Sequence, residues 1–415
     1  VVGIVLGVYI GTIVLLNIPN IQQAMSVFVA EELSEVLNTK VVIGRINMGL
    51  LNRIIIDDVL LDDQSGQEML KVTRLSAKFD IMPFFKGKIS ISSVQLFGFN
   101  INLRKETPDS PPNFKFVLDA FASKDTVKKE NSLDLRINSI LIRRGRMSYH
   151  VLSEEETPGK FNAKHIQLQN IIANISLKAL SKDSLNLGIK RLSLDEKASG
   201  FSLKKMSLKL VANNKQTNID NFTIELPETS LKLDTIHLEY DSLKAFDRFT
   251  EQVHFSFRTL PSQVTLKDIS PFVPILSHFK EPVTLDMEVK GTVDQLTCSH
   301  LEITADDRQF RLRGDVSLQD LSRPQDAYVY GTLSELSANT RGVGFLVRNL
   351  SPNYNGVPPL LERVGNVSFQ GEISGYFTDL VTYGQLQTSL GNVKTDLKLS
   401  SDKTKGLFAY SGAVK

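Results

Sequence analysis

The sequence predicts a mainly β protein: an elongated, repeating array of antiparallel strands with short helices, preceded by an N-terminal transmembrane helix and an amphipathic capping helix. Three observations carry this expectation. From Val41 onward apolar and polar residues alternate with period 2, the spacing of strands that bury one face and wet the other. Two stretches of the chain are repeated further along it, which favours a stacked array over a closed sandwich. Residues 1–30 contain no Asp, Glu, Lys or Arg, so the first element lies outside this pattern.

That first element is Val1 to Leu16, apolar apart from Thr12. Val1, Val2, Ile4, Val5, Leu6, Ile10, Ile13, Val14, Leu15 and Leu16 are its anchoring side chains. As a helix it reaches about 24 Å, short of the roughly 30 Å hydrocarbon core, so the apolar run is expected to continue upstream of Val1. No small-x-small cleavage site stands near Pro19, which argues against a cleaved signal peptide. Gly3, Gly7 and Gly11 form a small-xxx-small ladder suited to pairing in lipid, although they are better read as ordinary transmembrane glycines. Pro19 fits the first turn of a second helix. Ile21, Met25, Phe28, Leu33, Val36 and Leu37 keep helical spacing to Asn38, with Glu31, Glu32 and Glu35 opposite. Its polar face has no Lys or Arg before Lys40, so it is expected to cap the end of the strand array rather than to lie on anionic lipid.

The clearest strand is Val283, Leu285, Met287 and Val289 alternating with Thr284, Asp286, Glu288 and Lys290. Similar runs include Val94/Leu96, Ile101/Leu103, Ile140/Ile142, Phe222/Ile224/Leu226, Ile236/Leu238/Tyr240, Phe310/Leu312 and Val367/Phe369. Short helical patterns interrupt them at Phe114–Ser123, Ser242–Thr250, Pro271–Phe279 and Pro359–Val364. The first repeat matches Ser93-Val94, Leu96, Ile101 and Leu103 with Ser139-Ile140, Ile142, Met147 and Tyr149, at a constant offset of 46. Both copies change phase beside a glycine, Gly98 and Gly145, which predicts a bulge at the same place in each. The second matches Ile269-Ser270-Pro271 and Val289-Lys290-Gly291 with Leu350-Ser351-Pro352 and Ile373-Ser374-Gly375, at offsets of 81 and 84. The resulting division is 1–18 anchor, 19–39 helix, 40–260 first β-repeat region, and 261–415 second β-repeat region with two Ser-Pro modules, expected to continue beyond Lys415.

Composition removes several classes of function. Lys and Arg number 48 against 46 Asp and Glu, leaving +2 and no basic field to hold nucleic acid. The single cysteine, Cys298, excludes an internal disulfide framework and a cysteine-based zinc site. His150, His165, His237, His254, His278 and His300 are scattered without metal or catalytic spacing, and no GxSxG or phosphate loop is present. Asp57-Asp58 and Asp62-Asp63 fail the calcium-loop pattern and read as the exposed turn of a hairpin. Arg143, Arg144 and Arg146 form the densest basic cluster, which could touch lipid headgroups but reads better as a solvated turn. No catalytic residue, metal ligand or cofactor is nominated, and the protein is not expected to be an enzyme.

The terminal anchor, then Leu33 to Asn38, Val41-Val42-Ile43-Gly44, Ile56 to Asp63 through Gly66, Met69-Leu70, Phe84-Phe85-Lys86-Gly87-Lys88-Ile89 and Asn113-Phe114 together resemble the AsmA/TamB superfamily, most closely the N-terminal part of TamB-like proteins. The resemblance implies a single-pass bacterial inner-membrane anchor, a periplasmic body shaped as a long apolar trough, and a role between the two envelope membranes. Its partners would be phospholipid, the inner membrane and an outer-membrane β-barrel protein. One implied activity is carriage of phospholipid acyl chains toward the outer membrane. The alternative is a translocation and assembly module that inserts outer-membrane proteins or autotransporters with the barrel partner. Under the first, the inward phases of the best strands would line the trough: Val94, Leu96, Ile140, Ile142, Val283, Leu285, Met287, Val289, Val367, Phe369 and Ile373. Ordinary sandwich packing, with apolar faces sealed on each other, selects the same residues.

Overall fold

The computed structural model describes every residue except 1–6, 8–10, 12–13, 50–51, 81–88, 122–132, 135–137, 181–183, 306–308, 324–325, 351–362, 377–378, 403–406 and 415. The fold is mainly β, in two compact units. The first comprises Val1–Lys178 with Gly188–Lys204, the second Ala179–Leu187 with Lys205–Lys415. The expected anchor falls largely outside the described residues. Among the described residues no helix is long and apolar enough to cross a membrane.

The first unit opens with helix α1 (Pro19–Leu37), which starts on its proline and ends at Asn38 in the left-handed conformation. Strands β1 (Val41–Gly49), β2 (Arg53–Asp62), β3 (Glu68–Phe79) and β4 (Ile89–Lys105) come next, each antiparallel to the one before. Met25, Val29, Ala30 and Leu33 of α1 pack with buried Leu37 on Val41, Ile43, Ile46, Leu61 and Met69. Met25, Val29, Leu33 and Leu37 succeed one another at i, i+4, so they share a single face. Phe28 and Val36 were expected on it, but fall off that line and are exposed. Ser34 Oγ lies 3.0 Å from the Val41 amide, which donates to it, and so holds the helix end to β1.

After helix α2 (Lys115–Phe121) come β5 (Leu133–Asp134), β6 (Ser139–Val151), β7 (His165–Leu180) and β8 (Ser184–Glu196). Here the all-antiparallel expectation is corrected: β4 pairs in parallel with both β5 and β6. The long connection after β4 lets the chain return and run in the same direction. The register is Val94 beside Ile140, Leu96 beside Ile142 and Ile101 beside Met147, so the repeat at offset 46 is the register of two neighbouring strands.

Gly44, Asp58, Thr73, Gly98 and Arg144 fall in the corresponding unpaired step between register partners on successive strands β1, β2, β3, β4 and β6. Asp58, Gly98 and Arg144 have φ of 56°, 61° and 55°. A left-handed residue turns the pleat over, so the apolar parity switches at Asp58, where Val59 gives way to Ile56, and at Gly98, where Phe99 gives way to Leu96; on β3 Val72 gives way to Leu75 without one. The apolar face continues unbroken while the alternation read from sequence breaks. The phase change expected beside Gly98 is present, but the bulge expected at the same place in both copies is not: β4 keeps its register with β3 and β6 through Gly98, the left-handed residue of β6 is Arg144, and only β6 against β7 shifts register at Gly145.

The second unit is built from β9 (Ser202–Asn213), β10 (Gln216–Glu225), β11 (Ser230–Glu239), β12 (His254–Val264), β13 (Val283–Gly291), β14 (Gln295–Ala305), β15 (Phe310–Gln319) and β16 (Tyr328–Ala338). Helix α3 (Thr340–Leu350) precedes β17 (Val367–Tyr376), β18 (Asp379–Thr388), β19 (Gly391–Asp402) and β20 (Leu407–Val414). From β9 to β20 each strand pairs antiparallel with the next. The register shifts of β12, β14 and β16 against their neighbours place extra residues in those alternate strands, with His300 (φ 55°) in β14. The second repeat is a duplicated hairpin: β13–β14 and β17–β18 both leave through a glycine, Gly291 at φ 126° and Gly375 at φ 131°. A Cβ on either would strike the carbonyl oxygen four residues on, Gln295 or Asp379, so only glycine makes this turn.

Of the expected helices, Phe114–Ser123 forms as α2 and Ser242–Thr250 as a 3₁₀ turn, Leu243–Arg248, running into Phe249–Gln252. Pro271–Phe279 shortens to a 3₁₀ turn at Pro274–His278, and 359–362 lie outside the described residues. The hairpin expected at the acid pairs forms, with Asp63 closing its turn, but the acids are not all exposed: Asp57 lies within β2 and Asp63 at its end, and both are buried. Arginines make that burial tolerable: Arg45 and Arg74 reach Asp57, and Arg104 reaches Asp63.

Candidate functional site

The register turns the alternating pattern into apolar rows that run across the strands. In the second unit one row is Leu285, Ile303, Leu312, Leu336 and Phe369, each the direct partner of the next on β13 to β17. A second is Val289, Cys298, Val316, Gly331 and Ile373, and a third Val283, Ala305, then Phe310, Ala338 and Val367. Five strands span about 19 Å at roughly 4.8 Å per step. In the first unit Ile56, Leu75, Leu96, Ile142 and Ala173 form one such row across β2, β3, β4, β6 and β7, and Ile54, Ala77, Val94, Ile140 and Ile175 the next. Ten of the eleven lining residues nominated from sequence are therefore brought together in these rows within each unit, and the eleventh, Met287, stands in β13 where its register with β14 shifts.

How far these residues are covered differs along the rows. Only Val289 of the nominated eleven is buried, at 3% exposure, and the other ten are half-buried. Leu96 and Ile142 pack around buried Val72, Phe99 and Ile171. Val283 and Val367 are roofed by α3, whose Val343 and Phe345 join Ala305, Phe310 and Ala338, with Phe345 stacked on Phe310 at 5.6 Å between ring centroids. Asn339 starts this helix by accepting the Gly342 amide, and Arg348 holds it by a paired contact to Glu281 at 2.5 and 3.1 Å. Sequence reading missed α3 because Gly342 and Gly344 interrupt its apolar spacing.

Among the described residues the buried apolar side chains form four small clusters instead of one continuous core.

The opposite phase of the strands is polar and charged. Across β14 to β16, Glu302 receives both Arg311 (2.8 Å) and Arg313 (3.0 Å). Across β1 to β3, Asp57 accepts two bonds from Arg74, at 2.6 and 3.2 Å, and one from Arg45 at 3.4 Å. The Arg74 guanidinium, seconded by Arg45, holds the Asp57 carboxyl below its ordinary range despite burial. Asp63 closes the β2–β3 turn, accepting from the Ser65 and Gln67 amides, Ser65 Oγ and Asn113 Nδ2, with Arg104 at 2.8 Å. Burial pushes its carboxyl up, but these donors together bring it below the ordinary value. Val36, Asp63, Arg104, Asn113 and Phe116 line a cleft of about 560 Å³ at this corner. Burial, reinforced by the nearby Asp315 charge, pushes the Cys298 thiol up to about 11, which makes it inert packing on the apolar face.

One constellation was not legible from spacing. His150 and His165 are register partners on β6 and β7, with Nδ1 atoms 3.1 Å apart and Glu156 beside them. Neither sequence separation nor motif flags them, because the loop 152–164 alone closes the distance. No family model, curated protein or solved structure matches this chain.

Proposed function

We propose that this chain carries phospholipid acyl chains along the apolar face of its strands, from a bacterial inner membrane to which residues 1–16 tether it toward the outer membrane, with the rest of the chain in the periplasm. The observation that carries the reading is the set of cross-strand apolar rows left half-buried, with only small separate clusters fully sealed. Two acyl chains of about 30 methylenes in all cost roughly 24 kcal/mol to expose to water, at about 0.8 kcal/mol each. A face that offers continuous apolar rows lowers that cost for any chain length, while headgroups stay in solvent. Such a task needs surface and geometry, not a reacting group, and it matches the function implied by the likeness to AsmA/TamB proteins.

Native mass spectrometry and solvent extraction of the purified 415-residue chain test it. Phospholipid should accompany the protein, and Met287→Asp with Phe369→Asp together should release it while far-ultraviolet circular dichroism stays unchanged. A lipid-free protein, or a double variant that retains its lipid, sinks the proposal. Sedimentation of the chain with inner-membrane vesicles, and its release on deletion of residues 1–16, tests the tether.

A further inference from the structure

The β6–β7 connection gathers three side chains that lipid carriage does not use. His150 and His165 lie on the strand phase opposite Tyr149 and Ile166, their Nδ1 atoms 3.1 Å apart and their rings tilted by 52°. Glu156, from the connecting loop, brings Oε1 to 3.9 Å from His150 Nδ1, and all three ligating atoms lie within 4.8 Å of one another.

Hydrogen bonding decides which lone pairs are offered. His165 Nε2 lies 2.9 Å from the backbone oxygen of Glu154. A carbonyl only accepts, so Nε2 carries the proton, and in the neutral ring Nδ1 presents its lone pair toward His150. A carbonyl on the far ring nitrogen is the outer-shell support that metal-bound histidines use. Tetrahedral zinc with Zn–N of about 2.0–2.1 Å places two nitrogens about 3.3 Å apart, a few tenths more than they are now. His165 is buried and fixed, whereas Glu156 is exposed and free to swing inward. The loop is acidic through Glu154, Glu155 and Glu156, and Lys164 is drawn aside to Glu154 at 2.7 Å.

We infer that His150, His165 and Glu156 bind a divalent transition-metal ion, zinc by the character of the ligands, with water at the fourth position. The ion fastens the loop 152–164 across the ends of β6 and β7. In the proposed metal-bound form His150 shifts its proton to Nε2, so both Nδ1 atoms face the ion.

The test uses the full 415-residue chain with Zn²⁺ in calorimetry and Co²⁺ in visible absorption. One Zn²⁺ binds per chain, Co²⁺ gives the intense bands of a tetrahedral site, and amide exchange within 152–164 slows on binding. His150→Ala weakens binding by about 100-fold or more, at least the loss that removing an outer-shell partner can cause, and Glu156→Gln by about 10-fold. Absence of saturable binding, or binding that His150→Ala leaves unchanged, overturns the inference. Should His150→Ala fail to fold, the ring-proton resonances of the unaltered chain decide. Zn²⁺ must move those of His150 and His165 among the six histidines. Shifts confined to the other four overturn it.

Discussion

Gly145 on β6 is the sharpest place to perturb the apolar face. A Cβ there would overlap Cε1 and Cζ of the Phe99 ring and approach Ile171 Cβ to 3.0 Å. Carbon atoms in contact sit about 3.5–4.0 Å apart, so the ring must withdraw by about 1 Å or more. Phe99 is only 7% exposed, among Val72 at 3% and Ile171 at 9%, so it has nowhere to go without moving them. Gly145→Ala should therefore cost about 1–3 kcal/mol, the usual penalty for overfilling a packed site. Native-state amide exchange read by mass spectrometry resolves this locally, which matters because a chain of two units need not unfold in one step. Peptides from β4 and β6 should exchange about 5- to 150-fold faster, at tenfold per 1.4 kcal/mol. Phe99→Leu removes the obstructing atoms, so adding it to Gly145→Ala should cost less than the two single changes summed, by about 1 kcal/mol. Exchange in Gly145→Ala indistinguishable from the parent, or strictly additive costs in the double variant, would refute the packing described.

The carboxylates, turn glycines and thiol respond in equally definite ways. Because the folded Asp57 carboxyl sits below its ordinary range, its contribution to stability is present above about pH 4 and lost as pH falls through the folded value. Asp57→Asn should flatten the acid limb of stability in β1–β3, tracked by amide exchange between pH 6 and 3, and a steep limb in the variant contradicts this. Gly291→Ala and Gly375→Ala should destabilise their hairpins to similar extents, since both glycines have φ near +130° and face the same carbonyl clash. Unequal protection of β13–β14 and β17–β18 in the two variants would separate the repeats. Cys298, with its thiol pushed up to about 11, carries roughly 100-fold fewer thiolates at pH 8 than an exposed cysteine, so iodoacetamide should label it only after denaturation.

Much of the fold was legible because period 2 is set by the pleat itself. The strand Val283 to Val289, the duplicated Gly291 and Gly375 turns and the phase change at Gly98 stand where alternation and repetition put them, while its counterpart on β6 falls at Arg144, one residue before Gly145. What alternation cannot encode is which strand lies beside which. The parallel neighbourhood of β4 and β6 was visible only as similarity at offset 46, with nothing to say that the copies touch. Burial of Asp57 was hidden for a related reason: Arg45 and Arg74, which make it tolerable, lie 12 and 17 positions away and meet it only through register. The lining residues were recoverable as a set, yet the roof that α3 places over Val283 and Val367 depends on a helix whose two glycines conceal it.

The parallel pairing also sets how much chain must be closed into a loop before β4 and β6 can meet. Strands β9 to β20 each join the strand next in sequence, so the second unit can close hairpin by hairpin as chain becomes available. Strand β4 meets β6 only after the 33 residues from 106 to 138 have been drawn into a loop. Closing it costs about 2 kcal/mol more than closing a four-residue turn, by the logarithmic dependence on length. Within the first unit that pairing therefore carries an entropic cost that the hairpins of β9 to β20 do not.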